Sequence, residues 1–306
     1  MTRYLTLRVL RAIGIAFAVV TIIFFLFELI PGDQAMYIAG PGSTQAEIDS
    51  LRERLGLNDP VLVRYVRHVS GLLQGDFGTS SVFKADPLGY ILARVPATLA
   101  LTASAILLTI VIGIPAGVLA ALAHNRWPDL AISISVVAML AVPNFWLGLV
   151  LLTLFSVQLG WLPSFGFDGW ASLILPSLAL AARLIALVAR MTRGVMLEEL
   201  GRDYVRTARS KGLMPSAIVI RHVLRNAMIP TVTVIGLQTG YLLGGSVVIE
   251  RLFAWPGIGD LMINAIGQRD YAVVQGITLL FVFAFLIINL VVEILYTFIN
   301  PRVRAV

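Results

Sequence analysis

Six apolar runs, each close to or above the roughly 20 helical residues needed to cross a hydrocarbon core, divide this chain. They fall at about 12–30, 97–123, 131–157, 173–190, 229–249 and 273–299. The pattern predicts an all-α integral membrane protein with six transmembrane helices. The first run, AIGIAFAVVTIIFFLFELI, follows MTRYLTLRVLR. A cleaved signal peptide has a shorter apolar core and a small-residue cleavage site, so the run is expected to stay as the first span. Pro115 and Pro143 fall inside spans two and three and predict bends with locally freed carbonyls. Gly236, Gly240 and Gly244 recur every four residues in span five, with Gly245 beside the last. That face suits close helix packing or a moving gate helix.

The polar stretches set the organisation. Residues 1–30 hold the N-terminus and first span, 31–96 a helical segment, 97–299 a five-helix membrane core with a polar loop at 191–228, and 300–306 a tail. Within 31–96, Thr44 and Glu47 form a capping-box pattern, and Gly56 suits the C′ position of the short helix between them. Asp59 and Pro60 then read as N-cap and first helical residue. The following helix predicts an apolar face of Leu62, Tyr65, Val66, Val69, Leu72 and Leu73, with Arg64 and Arg67 off it, closed by Gly75-Asp76-Phe77-Gly78. A small cap packed on the ends of the spans is expected, serving either a partner or packing alone.

Composition agrees with a bilayer environment: 58% of residues are hydrophobic and only 13% charged, where soluble domains carry about a quarter charged. The net charge of +6 does not point to nucleic acid, because the basic residues lie between apolar runs rather than on one soluble face. Six spans put both termini on one side, and the Lys/Arg bias chooses it. Arg3, Arg8 and Arg11 precede span one, Arg126 lies in the loop at 124–130, and Arg302 and Arg304 follow span six. Arg190, Arg193, Arg202, Arg206, Arg209, Lys211, Arg221 and Arg225 gather between spans four and five. The opposite short loops hold none at 158–172 and only Arg251 and Arg269 elsewhere, and the six in 31–96 weigh little because long translocated segments obey the rule poorly. Both termini and the loop at 191–228 are therefore expected in the cytoplasm, and 31–96 outside it.

The missing chemistry narrows the function. A phosphate loop needs Lys directly after Gly, but the two lysines, Lys84 and Lys211, follow Phe83 and Ser210. The chain has no cysteine, and its three histidines (His68, His124, His222) are far apart, so no metal cluster is readable. No H-E-x-x-H, G-x-S-x-G or paired carboxylates in a polar setting occur, so no catalytic residue, metal or bound cofactor is expected and an enzyme is disfavoured. The ionisable residues in or bordering spans are Glu28, Arg183, Glu250 and Glu293. Glu28 and Glu250 are expected near outer ends, where water reaches them. Arg183 lies seven residues before Arg190, on nearly the same helix face and about 10 Å away. It reads as a counter-charge for an acidic substrate group in a water-filled path, or as a side chain that snorkels or pairs with Glu293.

The stretch DYVRTARSKGL at 203–213 carries the clearest signal. Glu198, Glu199 and Asp203 come early and Arg206, Arg209 and Lys211 late, matching the helix dipole. Gly212 suits a C′ position with positive φ, and Pro215 suits the first turn of a second helix, with Asn226 and Pro230 leading into span five. A short helix, a glycine turn and a second helix make a surface that another protein can grip.

Together with RHVLRNAMIPTVTVIGLQ after it, this stretch resembles the cytoplasmic loop of binding-protein-dependent ABC importer permeases, in the dipeptide/oligopeptide group and nearest its dipeptide and glutathione permeases. The resemblance continues through PGD at 31–33, LGLNDP at 55–60, GDFGTS at 75–80, NRWPD at 125–129 and GWLPS at 160–164. It goes on through LLGGSVVIE at 242–250, FAWPGIGDL at 253–261, RDYAVVQ at 269–275 and NPRVR at 300–304. It implies a type I importer permease fold in a bacterial cytoplasmic (inner) membrane, importing peptides by alternating access. It further implies a second homologous permease subunit, two cytoplasmic ABC ATPase subunits that use ATP and Mg, and an extracytoplasmic substrate-binding protein. In that family the loop helix docks in a groove of the ATPase. Carried over by position, the coupling set is Asp203, Tyr204, Arg206, Thr207, Ala208, Lys211 and Gly212. The general pattern begins Glu-Ala-Ala, where this chain has Arg206-Thr207-Ala208, a departure expected of the peptide group. The path is expected among spans three to six, with Asn144, Arg183, Gln238, Thr239, Tyr241 and Ser246 as candidate lining. Importers of nickel, opines or oligosaccharides share the pattern. A secondary transporter would need acidic residues inside the membrane, for which Glu293 alone is thin support.

Overall fold

The computed structural model describes residues 2–29, 34–40, 42–167 and 169–299, and within them all side chains except those of 2–9, 11–12, 34, 37 and 293–299. The motifs at 31–33 and 300–304, the basic side chains Arg3, Arg8, Arg11, Arg302 and Arg304, and the Glu293 carboxylate therefore lie outside the described residues. Every regular element among the described residues is helical: α1 Thr2–Leu29, α2 Gln34–Ala39, α3 Gln45–Arg54, α4 Val61–Leu73 and α5 Pro87–Leu122. There follow α6 Trp127–Ala141, α7 Asn144–Gln158, α8 Ile174–Leu200, α9 Asp203–Ser210, α10 Pro215–Leu252, α11 Ile258–Gly267 and α12 Tyr271–Ile299.

Four of these are long and apolar enough to cross a membrane, and five if α6 and α7 are counted as one span. The described apolar part of α1, Ile13–Leu29, is shorter. The helices outrun the apolar windows that predicted them. The span expected at 97–123 starts at Pro87, that at 173–190 runs on to Leu200, and that at 229–249 extends from Pro215 to Leu252. Charged side chains end an apolar window without breaking a helix, since Arg, Lys and Glu are good helix formers. The two prolines differ in effect. Pro143 leaves a break that bends α6 against α7 by 107°, so the third expected span is not one straight helix. Pro115 has no N–H to offer Val111, and a π-helical turn at Thr109–Gly113 precedes it in α5.

The chain forms two compact units. One comprises Met1–Pro96 and Leu261–Leu286. In it the capping box forms as predicted: the Thr44 N–H donates to Glu47 Oε2 at 2.8 Å and the Glu47 N–H to Thr44 Oγ1 at 3.4 Å, while Gly56 takes φ +62°. The next helix starts one residue late, with Pro60 as N-cap, and the carboxylate of Asp59 instead accepts from Arg67 at 2.5 Å. The predicted apolar face of α4 is rotated. Tyr65 bonds Thr21 at 2.7 Å and stacks on Phe25, His68 stacks on Phe24, and Arg64 pairs with Glu28 at 2.8 Å. Leu62, Val66 and Leu73 are left exposed. The aromatic and ionic contacts to α1 set the face, not the hydrophobic stripe.

The other unit, Ala97–Asp260 with Ile287–Val306, is built around α8. Leu175, Ala179, Leu180, Ala181, Leu184, Ile185 and Val188 of α8 are buried against α5, α7 and α10, and Ala186 and Ala189 against Val136 of α6. Small residues allow this. A Cβ on Gly117 of α5 would sit 2.6 Å from the Ala189 carbonyl oxygen and from Thr192 Cβ, and one on Gly113 would sit 3.1 Å from the Ile185 oxygen. The GIPAG stretch, not the glycine series of span five, thus makes the tightest approach to α8. Of that series Gly236 packs on Val292 of α12, whereas Gly244 faces open space.

Candidate functional site

At the end of α8 the chain turns through Gly201 and Arg202 into α9, and a glycine turn then leads into α10. Glu199, almost fully buried, holds this construction together. Its carboxylate accepts from Arg202 Nε at 2.8 Å, from the Tyr204 hydroxyl at 2.6 Å and from Asn226 Nδ2 at 3.3 Å. One carboxylate therefore joins the end of α8, the start of α9 and the lower part of α10. Val205 and Ala208 complete the attachment, buried with Met196, Ala121, Ile218, Val223 and Ala227. Burial, followed by the hydrogen bond to Glu199, raises the pKa of the Tyr204 hydroxyl above its ordinary value, so it stays a donor.

The opposite face of α9 is free. Asp203, Arg206, Thr207, Arg209, Ser210 and Lys211 are exposed, and the Arg206–Asp203 pair, 3.6 Å apart with both side chains over 80% exposed, contributes little. Gly212 takes φ +75°, its N–H donating to the Arg209 carbonyl at 3.0 Å while the Leu213 N–H reaches Ala208 at 3.3 Å. This is the predicted glycine stop. The structure divides the predicted coupling set: Asp203, Arg206, Thr207, Lys211 and Gly212 lie on the surface, but Ala208 is buried and Tyr204 is turned inward onto Glu199. Beside this surface Leu213 and Met214 are also exposed, Met214 by 74%. An apolar pair between a glycine turn and a proline was their available signal. The second predicted helix is no separate element, being the first turns of α10.

The path candidates also divide. Ser246 is fully buried and donates to the Leu243 carbonyl at 2.9 Å and to Glu250 at 3.1 Å, so it supports the core and lines nothing. Thr239 bonds the Ile235 carbonyl of its own helix at 2.9 Å. Asn144, at the start of α7, reaches the Leu180 carbonyl at 3.5 Å. Gln238 is half-buried, Tyr241 is exposed, and Arg183 is exposed on α8, between buried Ala182 and Leu184.

Glu250 corrects an expectation. Far from lying in water, it is fully buried. It accepts from Thr98 Oγ1 at 2.8 Å and from the backbone N–H groups of Gly259 at 2.7 Å and Asp260 at 3.2 Å. It thereby satisfies the N-terminus of α11, whose Ile258 N–H donates to Thr98 Oγ1 at 2.9 Å. A side chain at Gly257 would overlap the carboxylate, which is why glycine stands there. The same device recurs: Asp129 of the NRWPD stretch accepts from Arg193 at 2.5 and 2.7 Å and from the Asn125 N–H at 3.0 Å. In the first unit, Asp270 accepts from Ser80 Oγ and from the Val82 and Val273 N–H groups, tying GDFGTS to RDYAVVQ. Among the described residues, the buried carboxylates are these four, and each fastens a loop or turn to a helix. No group of three potential metal ligands occurs among the described residues.

These features define a multi-pass helical membrane protein that carries an amphipathic helix and glycine turn outside its longest apolar stretches. The chain belongs to the family described as binding-protein-dependent transport system inner membrane component, whose family model matches residues 113–305, its N-terminal companion matching 1–111. It is 43% identical over 304 residues to the glutathione transport system permease protein GsiC of Escherichia coli strain K12, and 44% identical over 305 residues to that of Salmonella paratyphi A, 99% of each chain being covered. The inward-facing MetNI methionine ABC transporter matches 71% of this chain and 99% of its own at a TM-score of 0.59 and 22% identity. An amino acid ABC transporter with histidines matches 69% and 93% at 0.52 and 15% identity. These two likenesses establish the fold. Permeases of this family are transport subunits, not enzymes, and work with an ATPase and a substrate-binding protein.

Proposed function

We propose that this chain is the peptide-translocating permease subunit of an ATP-driven importer, with glutathione or short peptides as cargo. The cargo class rests on the names of its relatives, which are glutathione transport permeases over nearly their whole length. In this reading α1 is a sixth span, both termini are cytoplasmic, and residues 31–96 form a cap on the outer side. A second permease subunit faces this one, two ATPase subunits lie below, and a binding protein delivers cargo above. ATP and Mg are used by the ATPases.

The observation that carries the mechanism is the Glu199 junction. The exposed face made by Arg206, Thr207, Lys211, Gly212, Leu213 and Met214 is the surface an ATPase would grip. Because Glu199 ties α9 to both α8 and α10, a displacement of α9 is delivered to the two helices that flank the proposed path. ATP-dependent changes in the grip then bias the inward-facing and outward-facing states through differential contacts. The test is a cross-link. The sequence has no cysteine, so Lys211→Cys or Met214→Cys gives a single thiol for pairing with cysteines placed in the ATPase groove. Cross-links whose yield changes with ATP support the reading, and none at either position sinks it. Gly212→Asp, which puts a side chain at φ +75°, should weaken ATPase co-purification.

A further inference from the structure

The central helix α8 is packed on nearly every side, yet one stripe of it is open. Arg183, Arg190, Gly194 and Glu198 are exposed and Leu187 is half-buried, while their neighbours Ala182, Leu184, Ala186, Val188 and Ala189 are buried. Steps of four, three, four and four residues place these positions on a single helix face. The opening is real space, since a Cβ added at Gly194 would meet nothing within 4 Å. A helix this enclosed would ordinarily close its last face with apolar side chains. This one instead carries two guanidinium groups, neither with an ion-pair partner among the described residues, seven residues and about 10 Å apart.

Depth strengthens the case. Arg193 of α8 is held by Asp129, which marks the cytoplasmic end in the orientation proposed above. Arg183 lies ten residues further along, about 15 Å at 1.5 Å per residue, which is half of a hydrocarbon core roughly 30 Å thick. At that level the bend between α6 and α7 also falls, because Asn144 bonds the carbonyl of Leu180, one turn before Arg183. A cation at mid-depth is costly unless it faces water or a counter-charge. Broken helices at membrane depth occur where they line a cavity or are buried in protein.

We propose that Arg183 and Arg190 form a two-station track for the carboxylate of the cargo, Arg183 at mid-membrane and Arg190 nearer the cytoplasmic exit. The cargo class is a small peptide with a free carboxylate, and the inference rests on the permease reading given above. Guanidinium forks suit it, since they hold a carboxylate through paired hydrogen bonds. Two stations let the anion leave the first for the second rather than being trapped at one.

The test is uptake by the whole complex in proteoliposomes, with Ala-Ala and its C-terminal amide as cargo. Arg183→Gln should lower Ala-Ala uptake about tenfold or more, the cost of one charge-assisted contact, and should leave the slower amide uptake little changed. Arg183→Lys, which keeps the charge but not the paired hydrogen bonds, should restore only part of the loss. Unaltered subunit stoichiometry of the purified Arg183→Gln complex separates lost recognition from misfolding. Equal loss for both cargoes, or no loss for either, overturns the carboxylate track while leaving a working permease. Wild-type complex that imports neither peptide overturns the permease reading for peptides and the track with it.

Discussion

Replacing Tyr204 with Phe removes a single oxygen and should partly disconnect α9 from α8 and α10. In the structure that oxygen donates to Glu199 at 2.6 Å and lies 3.4 Å from Asn226 Nδ2. A hydrogen bond to a charged group is worth about 1.5–3 kcal/mol net, and Tyr204 is only half-buried, so the lower value applies. About 1.5 kcal/mol is roughly a tenfold rise in the population of α9 detached from α10. Val205 and Ala208 still hold α9, so the protein should fold and assemble. Hydrogen exchange across 203–213 should quicken by about that factor, and more ATP should be hydrolysed per cargo imported. The pH dependence has a definite sign. Tyr204 has a raised native pKa, so its contribution is complete below the ordinary tyrosine value near 10 and is lost as pH rises through the native value. Exchange protection should therefore be flat from pH 6 to 9 in the wild type. Unchanged protection together with an unchanged ATP-to-cargo ratio in Tyr204→Phe would refute the Glu199 junction as a mechanical link.

Other consequences are as specific. Gly117→Val should overfill the contact between α5 and α8, costing about 1–3 kcal/mol or more, seen as a lower melting temperature in detergent; an unshifted melt would contradict the packing. Glu250→Ala leaves Thr98 and two amide groups of α11 without their acceptor, and should cost about 3 kcal/mol or more, while Glu250→Gln should recover part of it, read by the same melt. His68 has a pKa lowered by burial. Its neutral form is therefore favoured in the folded state, and that stability is present above the ordinary histidine value near 6.5 and lost as pH falls through the lower native value. Protease resistance of the segment containing α4 should accordingly decline in mild acid, less so in His68→Phe.

What the sequence revealed was chiefly what is local. The Thr44–Glu47 capping box, the positive φ at Gly212 and the break at Pro143 depend on a few adjacent residues, and each formed as read. Features that depend on distant partners were not legible. Gly113 and Gly117 matter because of α8, some seventy residues away in sequence, and Glu250 is dry because α11 folds back on its carboxylate. Ser246 and Ala208 looked available because polar lining and a motif position say nothing about which way a helix faces. In the sequence Glu199 shows only as a dipole-matching acid, since its partner Asn226 lies 27 residues on. The open stripe of α8 was half visible in the spacing of Arg183 and Arg190. That every other face would be buried was not.

The most direct test of the account is ATP-driven uptake by the complex of this chain with its partner subunits in sealed proteoliposomes. With binding protein and glutathione outside and ATP within reach of the ATPases, cargo should accumulate against its gradient. Accumulation should need no ion gradient and should collapse when Arg206 and Lys211 are both reversed to Glu. Accumulation driven by an ion gradient without ATP, or unaltered in that double variant, would contradict it.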